Sequence, residues 1–137
     1  MTDLELAMQT LADTACSCVV ASEGQTITSE MPGIRPLLNW LVHQPDCLRG
    51  AAVADKIIGK AAALLLIYGG VKEVYGVVLS DTAAEVLTGY GVSFSCGKRT
   101  PYIINRTGDG MCPMEQRVMN LDTPEQAYQN LVTLLQS

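Results

Sequence analysis

The chain has 137 residues, 48% of them hydrophobic, and a formal net charge of −5 at pH 7. This length suits one domain with one core, so we expect a single domain over residues 1–137. The acidic balance argues against nucleic acid as a partner, because phosphate backbones are bound by clustered Lys and Arg.

The sequence predicts neither a membrane-spanning segment nor a signal peptide. Lys60 and Gly69-Gly70 interrupt the most apolar stretch, so it falls short of the roughly eighteen apolar residues that a membrane span needs. The acidic, amphipathic N-terminus does not resemble a signal peptide. We therefore expect a cytoplasmic protein that has no membrane partner.

The first third of the chain predicts a helix, a hairpin and a second helix. Apolar residues at near-helical spacing indicate a helix over residues 3–14. Two β-favouring runs flank Glu23-Gly24 and predict a hairpin over residues 16–31. The next helix carries Trp40 and His43 and ends before Pro45.

The five cysteines are an odd number in a chain without a secretory signal, which predicts free thiols. Cys16 and Cys18 are two residues apart, so a strand would place both on one face. Filling a core is favoured for them over metal or redox chemistry. Cys112 differs because it precedes Pro113 at a predicted helix start, where a thiol can act as a nucleophile.

The central segment, residues 51–68, predicts one long apolar helix closed by Gly69-Gly70. Lys56 and Lys60 would share a face of this helix, with Asp55 at its rim. Gly59 would let another backbone or a ligand approach closely. Alternatively, Asp55 offsets the positive helix start and the lysines extend to solvent.

The following segments alternate between strand and helix. Residues 71–79 predict a strand covered on both faces in its second half. Ser80 or Asp81 caps the next helix, with Glu85 in a capping box. A strand that ends at Cys96 and an extended segment over residues 101–105 follow. This alternation is typical of an α/β layered sheet.

A loop after the last extended segment collects further polar residues, namely Asn105, Arg106, Cys112 and Glu115. Ligands of open α/β sheets bind where strands end and helices begin. An arginine there can grip a carboxylate or a phosphate with two hydrogen bonds. Glu115, one turn into the predicted helix, suits a capping acid or a base.

The chain resembles the DUF1893 family in two blocks that are fairly specific. They are Asp55-Lys56-Ile57-Ile58-Gly59-Lys60 and the segment from Asn105-Arg106 to Cys112-Pro113-Met114-Glu115. The resemblance covers nearly the whole chain. It implies a three-layer α/β/α, cytidine deaminase-like fold with a mixed sheet, and it implies no activity, because none is assigned to the family.

The zinc ligands of true cytidine deaminases have no counterpart at the expected places. Those enzymes use a His or Cys in H/C-x-E at one helix start and two cysteines in P-C-x-x-C at the next. Here the two starts carry Asp55-Lys56 and Ser80-Asp81-Thr82. One thiolate, Cys112, cannot form a three-ligand site, so we expect no metal and no cofactor.

Three functions therefore stay open, and whether the chain is an enzyme is left undecided. The first is metal-free binding of, or action on, a nucleotide-like or phosphorylated small molecule. Its ligand-binding residues would be Lys60, Ser80, Asp81, Asn105 and Arg106. In a catalytic version Lys56 is electrophile or nucleophile, Asp55 or Glu115 is the base, and Cys112 is an alternative nucleophile.

The other two functions need no catalysis by this protein. The second is a regulatory module in which an acidic or basic residue of the pocket is covalently modified. The third is a structural homo-oligomer, and the apolar central segment together with Trp40 favours a homodimer.

Overall fold

The computed structural model describes residues 1–104, 108 and 110–136. Within these residues helices and strands alternate along most of the chain. Short 3-10 turns occur at Pro45–Cys47 and Val132–Gln136. The longer elements are α1 (Asp3–Asp13), β1 (Cys18–Ser22), β2 (Gln25–Ser29), α2 (Arg35–His43), β3 (Ala52–Ile58), α3 (Lys60–Gly69), β4 (Glu73–Ser80), α4 (Asp81–Gly89), β5 (Ser93–Thr100), α5 (Pro113–Val118) and α6 (Pro124–Leu131).

The five strands form one mixed sheet in the order β2-β1-β3-β4-β5. The pairs β1–β2 and β1–β3 are antiparallel, whereas β3, β4 and β5 run parallel. Glu23 and Gly24 link β1 to β2 with φ angles of 53° and 78°, the left-handed backbone of a two-residue hairpin turn. The predicted hairpin is therefore confirmed.

Helices cover both faces of the sheet. On one face, α1 packs through Ala7 and Leu11 against Val19, Ala21 and Ala54. The other face carries the large core, to which α2 to α6 all contribute buried or half-buried residues. The predicted α/β architecture, a mixed sheet flanked by helices, is confirmed, and the cytidine deaminase-like assignment stays a prediction. Among the described residues, no helix is both long and apolar enough to cross a bilayer.

The central segment is not one helix. Its first part is strand β3, and α3 begins only at Lys60, after Gly59. Because β3 lies inside the sheet with cores on both faces, most of its residues are apolar, and periodicity cannot distinguish such a run from a buried helix. The prediction that Lys56 and Lys60 share a helix face is therefore wrong.

The cysteine prediction is also wrong in its geometry. Cys18 lies in β1 and belongs to the large core, whereas Cys16 precedes the strand and packs in the α1 core. The two thiols therefore lie on opposite faces of the sheet. The alternation rule fails because only Cys18 is part of the strand.

Strand β4 is not covered on both faces throughout. Tyr75 packs against the α1 core, but Val77 is 41% exposed, since the α1 core does not extend that far along the strand. The next strand is longer than predicted, because β5 continues through Gly97 to Thr100. A Cβ atom at Gly97 would lie 2.9 Å from the carbonyl oxygen of Val77, so glycine is needed within the strand.

In the parallel strands β3 and β4, the regular alternation of side chains between the two faces of the sheet is interrupted about halfway along. Val53 and Ile58 of β3 both belong to the large core, as do Val74 and Leu79 of β4. Regular alternation would place residues five apart on opposite faces. We call this change the phase switch; in β3 it coincides with the consecutive exposed residues 56 and 57.

The start of α4 is capped as predicted by Ser80, whose Oγ accepts a hydrogen bond from the Ala83 N–H at 3.0 Å. Ala83 is the third residue of α4, so the predicted capping box with Glu85 is wrong. Ser80→Ala is expected to lower the free energy of unfolding by about 1 to 2 kcal/mol, because the Ala83 N–H is left unpaired in a buried place.

Urea denaturation measures this effect, with Glu85→Ala as the matched control. We expect the control to change the free energy of unfolding by less than about 0.5 kcal/mol. Equal losses in the two variants would contradict the assignment of Ser80 as the cap.

Candidate functional site

The parallel strands β3, β4 and β5 end at the same edge of the sheet. Ile58 is paired with Leu79, and Ser80 is paired with Thr100. Helices α3 and α4 begin directly beyond these strand ends. We call this region the carboxyl edge; it is where open α/β sheets bind their ligands.

The start of α3 holds a carboxylate from a distant part of the chain. Lys60 N–H donates to Glu115 Oε1 at 2.7 Å, and Ala61 N–H donates to Glu115 Oε2 at 2.9 Å. Both oxygens of this buried side chain therefore accept hydrogen bonds from backbone amides that have no partner within the helix. Glu115 thus acts as an internal anion at a helix N-terminus.

Gly59 makes this contact possible. A Cβ atom built at Gly59 would overlap the Glu115 carboxylate and would lie 2.7 Å from Cγ1 of Ile103. The close approach predicted for Gly59 is thus made by a side chain of the same protein. Any larger residue would compete with Glu115 for the space.

The lysine at the start of α3 also contacts the α5 region. Lys60 Nζ donates to the carbonyl oxygen of Met119, just beyond α5, at 3.1 Å. Cys112 directly precedes α5, is half-buried, and donates its N–H to Ile103 at 2.8 Å. Residues around α5 therefore cover the start of α3 through several hydrogen bonds.

At the start of α4, Asp81 forms an exposed ion pair. Its Oδ1 lies 2.8 Å from Arg99 Nη2 and accepts a hydrogen bond from Arg99 Nε at 3.0 Å. Ser80, beside it, is fully buried, and its Oγ lies 3.0 Å from Thr82 Oγ1. The sequence interpretation did not include Arg99 in the site, because it ended this strand at Cys96.

Asp55 lies below the carboxyl edge, inside the protein. It is only 4% exposed, and Cys18 is its partner across the β1–β3 pair. The Ile57 N–H donates to Oδ1 at 3.4 Å, while Oδ2 has no hydrogen-bond partner in the described part of the chain. Burial raises the pKa of Asp55 to about 7, and burial followed by the Asp55 charge raises the pKa of the Cys18 thiol.

Lys56 lies four positions before Lys60, and two of the three residues between them belong to β3. Its side chain is exposed, and its backbone N–H donates to Ser17 at 3.2 Å. Four residues of extended chain span about 13 Å. The predicted grouping of Asp55, Lys56 and Lys60 at one helix start is therefore wrong, since a strand separates them.

The remaining predicted site residues are only partly placed. Lys60, Ser80, Asp81, Cys112 and Glu115 all lie at or next to the starts of α3, α4 and α5. Asn105 and Arg106 lie outside the described residues. In the ranges that are described, no three His, Cys, Asp or Glu side chains form a group that could hold a metal ion.

Comparisons with known proteins place the chain in a family. The sequence model of the family TM1506, "Domain of unknown function (DUF1893)", matches residues 6–135. No curated protein matches the chain. The crystal structure of a DUF1893 family protein (TM1506) from Thermotoga maritima is 28% identical, with a TM-score of 0.89 over 98% of this chain and 91% of that one. This chain therefore belongs to the DUF1893 family.

Proposed function

We propose that this protein binds a small anionic molecule, nucleotide-like or phosphorylated, at the carboxyl edge and without a metal ion. One observation carries the proposal: two backbone amides in the first turn of α3 donate hydrogen bonds to the two oxygens of a carboxylate, that of Glu115. Phosphate and carboxylate groups are the ligands that such a helix start favours. An external anion would accept hydrogen bonds from the same two amides.

The ligand would exchange with Glu115. Movement of α5 away from α3 would free the amides of Lys60 and Ala61, and it would also free the Lys60 ammonium from the Met119 carbonyl. Two hydrogen-bond donors and one positive charge would then face the incoming anion together. In this scheme α5 closes the empty site, and ligand binding releases it.

The burial of Asp55 favours binding over catalysis by that residue. Its carboxyl group is in the core, so it is not in reach of a ligand at the carboxyl edge in this conformation. Glu115 contacts the start of α3, and Cys112 directly precedes α5, so these two would be the reactive groups in a catalytic version of the proposal.

A Glu115→Gln variant tests the exchange. Glutamine keeps the shape but loses the charge that competes with the ligand, so inorganic phosphate or adenosine monophosphate should bind roughly tenfold more tightly than to wild type. Isothermal titration measures the affinities, after a thermal-shift screen of nucleotides and sugar phosphates identifies a ligand. The matched control is Glu125→Gln, which removes the same charge from an exposed first turn of α6 and should leave affinity unchanged.

A structural module without a ligand is the second candidate. It is favoured because Ser80 and Glu115 already satisfy amides at the starts of α4 and α3. In that case Glu115→Gln would lower the melting temperature, and no anion would stabilise either protein. This result would replace the binding proposal.

A further inference from the structure

Strand β5 forms one edge of the sheet, and a groove of about 450 Å3 runs beside it. The groove is lined by Ala84, Glu85, Thr88, Gly89, Phe94 and Arg99. An edge strand presents a row of unpaired backbone N–H and C=O groups, which can pair with another strand. We propose that β5 pairs in antiparallel orientation with β5 of a second copy of this chain, so that the two sheets join across a two-fold axis.

The phase switch selects the register of this pairing. Phe94 is paired with Val74, and Arg99 with Leu79. Because Val74 and Leu79 both belong to the large core, Phe94 and Arg99 share that face although they are five residues apart. Ser95 is paired with Tyr75 of the α1 core, so Ser95 and Lys98 share the opposite face.

Directly opposite residues of an antiparallel pair must lie on the same face. The register that aligns the whole of β5 with its copy places Phe94 opposite the partner's Arg99 and Ser95 opposite the partner's Lys98. Both pairs satisfy the rule, owing to the phase switch. A shift of one residue would place Phe94 opposite Lys98 or Ser95 opposite Arg99, on different faces. The strand is therefore self-complementary over its full length.

The charges at the groove suit a second copy. Glu85 is exposed, lines the groove, and has no ion pair or hydrogen bond among the described residues. The partner's Arg99, opposite Phe94, would lie over the aromatic ring and within reach of Glu85, and it would share its guanidinium between Glu85 and the Asp81 of its own chain. Ala84, Thr88 and Gly89 are small, so the two α4 helices could approach closely. These features recommend a copy of this chain over an unrelated extended segment.

Two variants that place opposite charges at position 95 test the register. Ser95→Lys would place two lysine pairs across the interface, and Ser95→Glu would place two Glu–Lys pairs there instead. Like charges directly opposite each other should weaken dimerisation roughly threefold to thirtyfold, whereas the glutamate should strengthen it. Sedimentation velocity over a range of concentrations measures this. Ser95 is exposed, so both variants should melt like wild type at low concentration.

Cross-linking tests the contact directly. Cysteines at Ser95 and Lys98 would form two disulfides between copies, because opposite Cα atoms in this pairing lie about 4.5 to 5.5 Å apart. The control carries cysteines at Thr26 and Thr28 of β2, the other edge, and should stay uncross-linked. Monomeric wild type at all concentrations, a dimer indifferent to Ser95→Lys, or cross-linking only through β2 would each overturn the proposal.

Discussion

Replacing Asp55 by asparagine is expected to remove a large decrease in the free energy of unfolding that wild type shows as pH rises from about 4 to about 7. Burial raises the pKa of the Asp55 carboxyl group from 3.8 to about 7 in the folded state. Between these two pH values the unfolded chain has released its proton, but the folded protein still holds it. The stabilisation by the proton on Asp55 is therefore complete below about pH 4 and is lost as pH rises to about 7.

The size of the effect follows from the gap between the two pKa values. Each pKa unit corresponds to about 1.4 kcal/mol, so wild type should lose about 4 kcal/mol of stability over this range because of Asp55. Asparagine cannot ionise, so the difference in unfolding free energy between Asp55→Asn and wild type should shift by that amount in favour of the variant as pH rises.

Urea denaturation at a series of pH values measures this difference. Asp13→Asn is the control, because it removes an exposed carboxylate at the end of α1. Its difference from wild type should stay constant within about 0.5 kcal/mol. Parallel curves for wild type and Asp55→Asn would mean that Asp55 is already ionised at low pH in the folded protein, contrary to its burial.

Gly59→Ala is expected to destabilise the protein by about 3 to 5 kcal/mol, through the contact between α3 and α5. The Gly59 backbone has φ −102° and ψ −172°, which alanine adopts without strain. The cost is steric, because the new methyl group would overlap the Glu115 carboxylate. Displacing that carboxylate also removes its two hydrogen bonds to Lys60 and Ala61.

A double-mutant cycle with Glu115→Ala isolates this contact. Once Glu115 is truncated, the added methyl group no longer meets the carboxylate, and only the contact with Cγ1 of Ile103 at 2.7 Å is left. Gly59→Ala should therefore cost less than it does in wild type. Gly89→Ala is the matched control: no atom lies within 4 Å of the added Cβ, and alanine should be neutral or stabilise by up to about 1 kcal/mol. Simple additivity of the Gly59 and Glu115 changes would argue against the proposed clash.

Local features of the fold were predicted well. The Glu23-Gly24 hairpin, the Ser80 cap and the alternation of strand and helix all depend on residues close together in the chain. The failures have a common cause in burial. A strand enclosed in a sheet and a buried helix have the same apolar composition, so residues 52–58 were assigned to the wrong element.

In the candidate site, too, individual residues were predicted from the sequence but their contacts were not. Gly59 stood out as a place of close approach, and Glu115 as an acid near a helix start. Their contact spans 56 positions, and it depends on how α5 packs against α3. Arg99 was missed because the predicted strand ended at Cys96, directly before Gly97, although the strand continues there and the neighbouring backbone of β4 requires glycine at that position.

The amino-acid sequence alone determined that Ser80 or Asp81 caps α4, and it determined the hairpin turn, the α/β class and the family resemblance, since each rests on short-range hydrogen bonding or on a recognisable block of residues. Only the tertiary structure decided that Asp55 is buried, that Glu115 occupies the start of α3, and that β5 is an outer strand of the sheet formed by the described residues. These properties depend on which strands and helices become neighbours in space, and no local pattern specifies that arrangement.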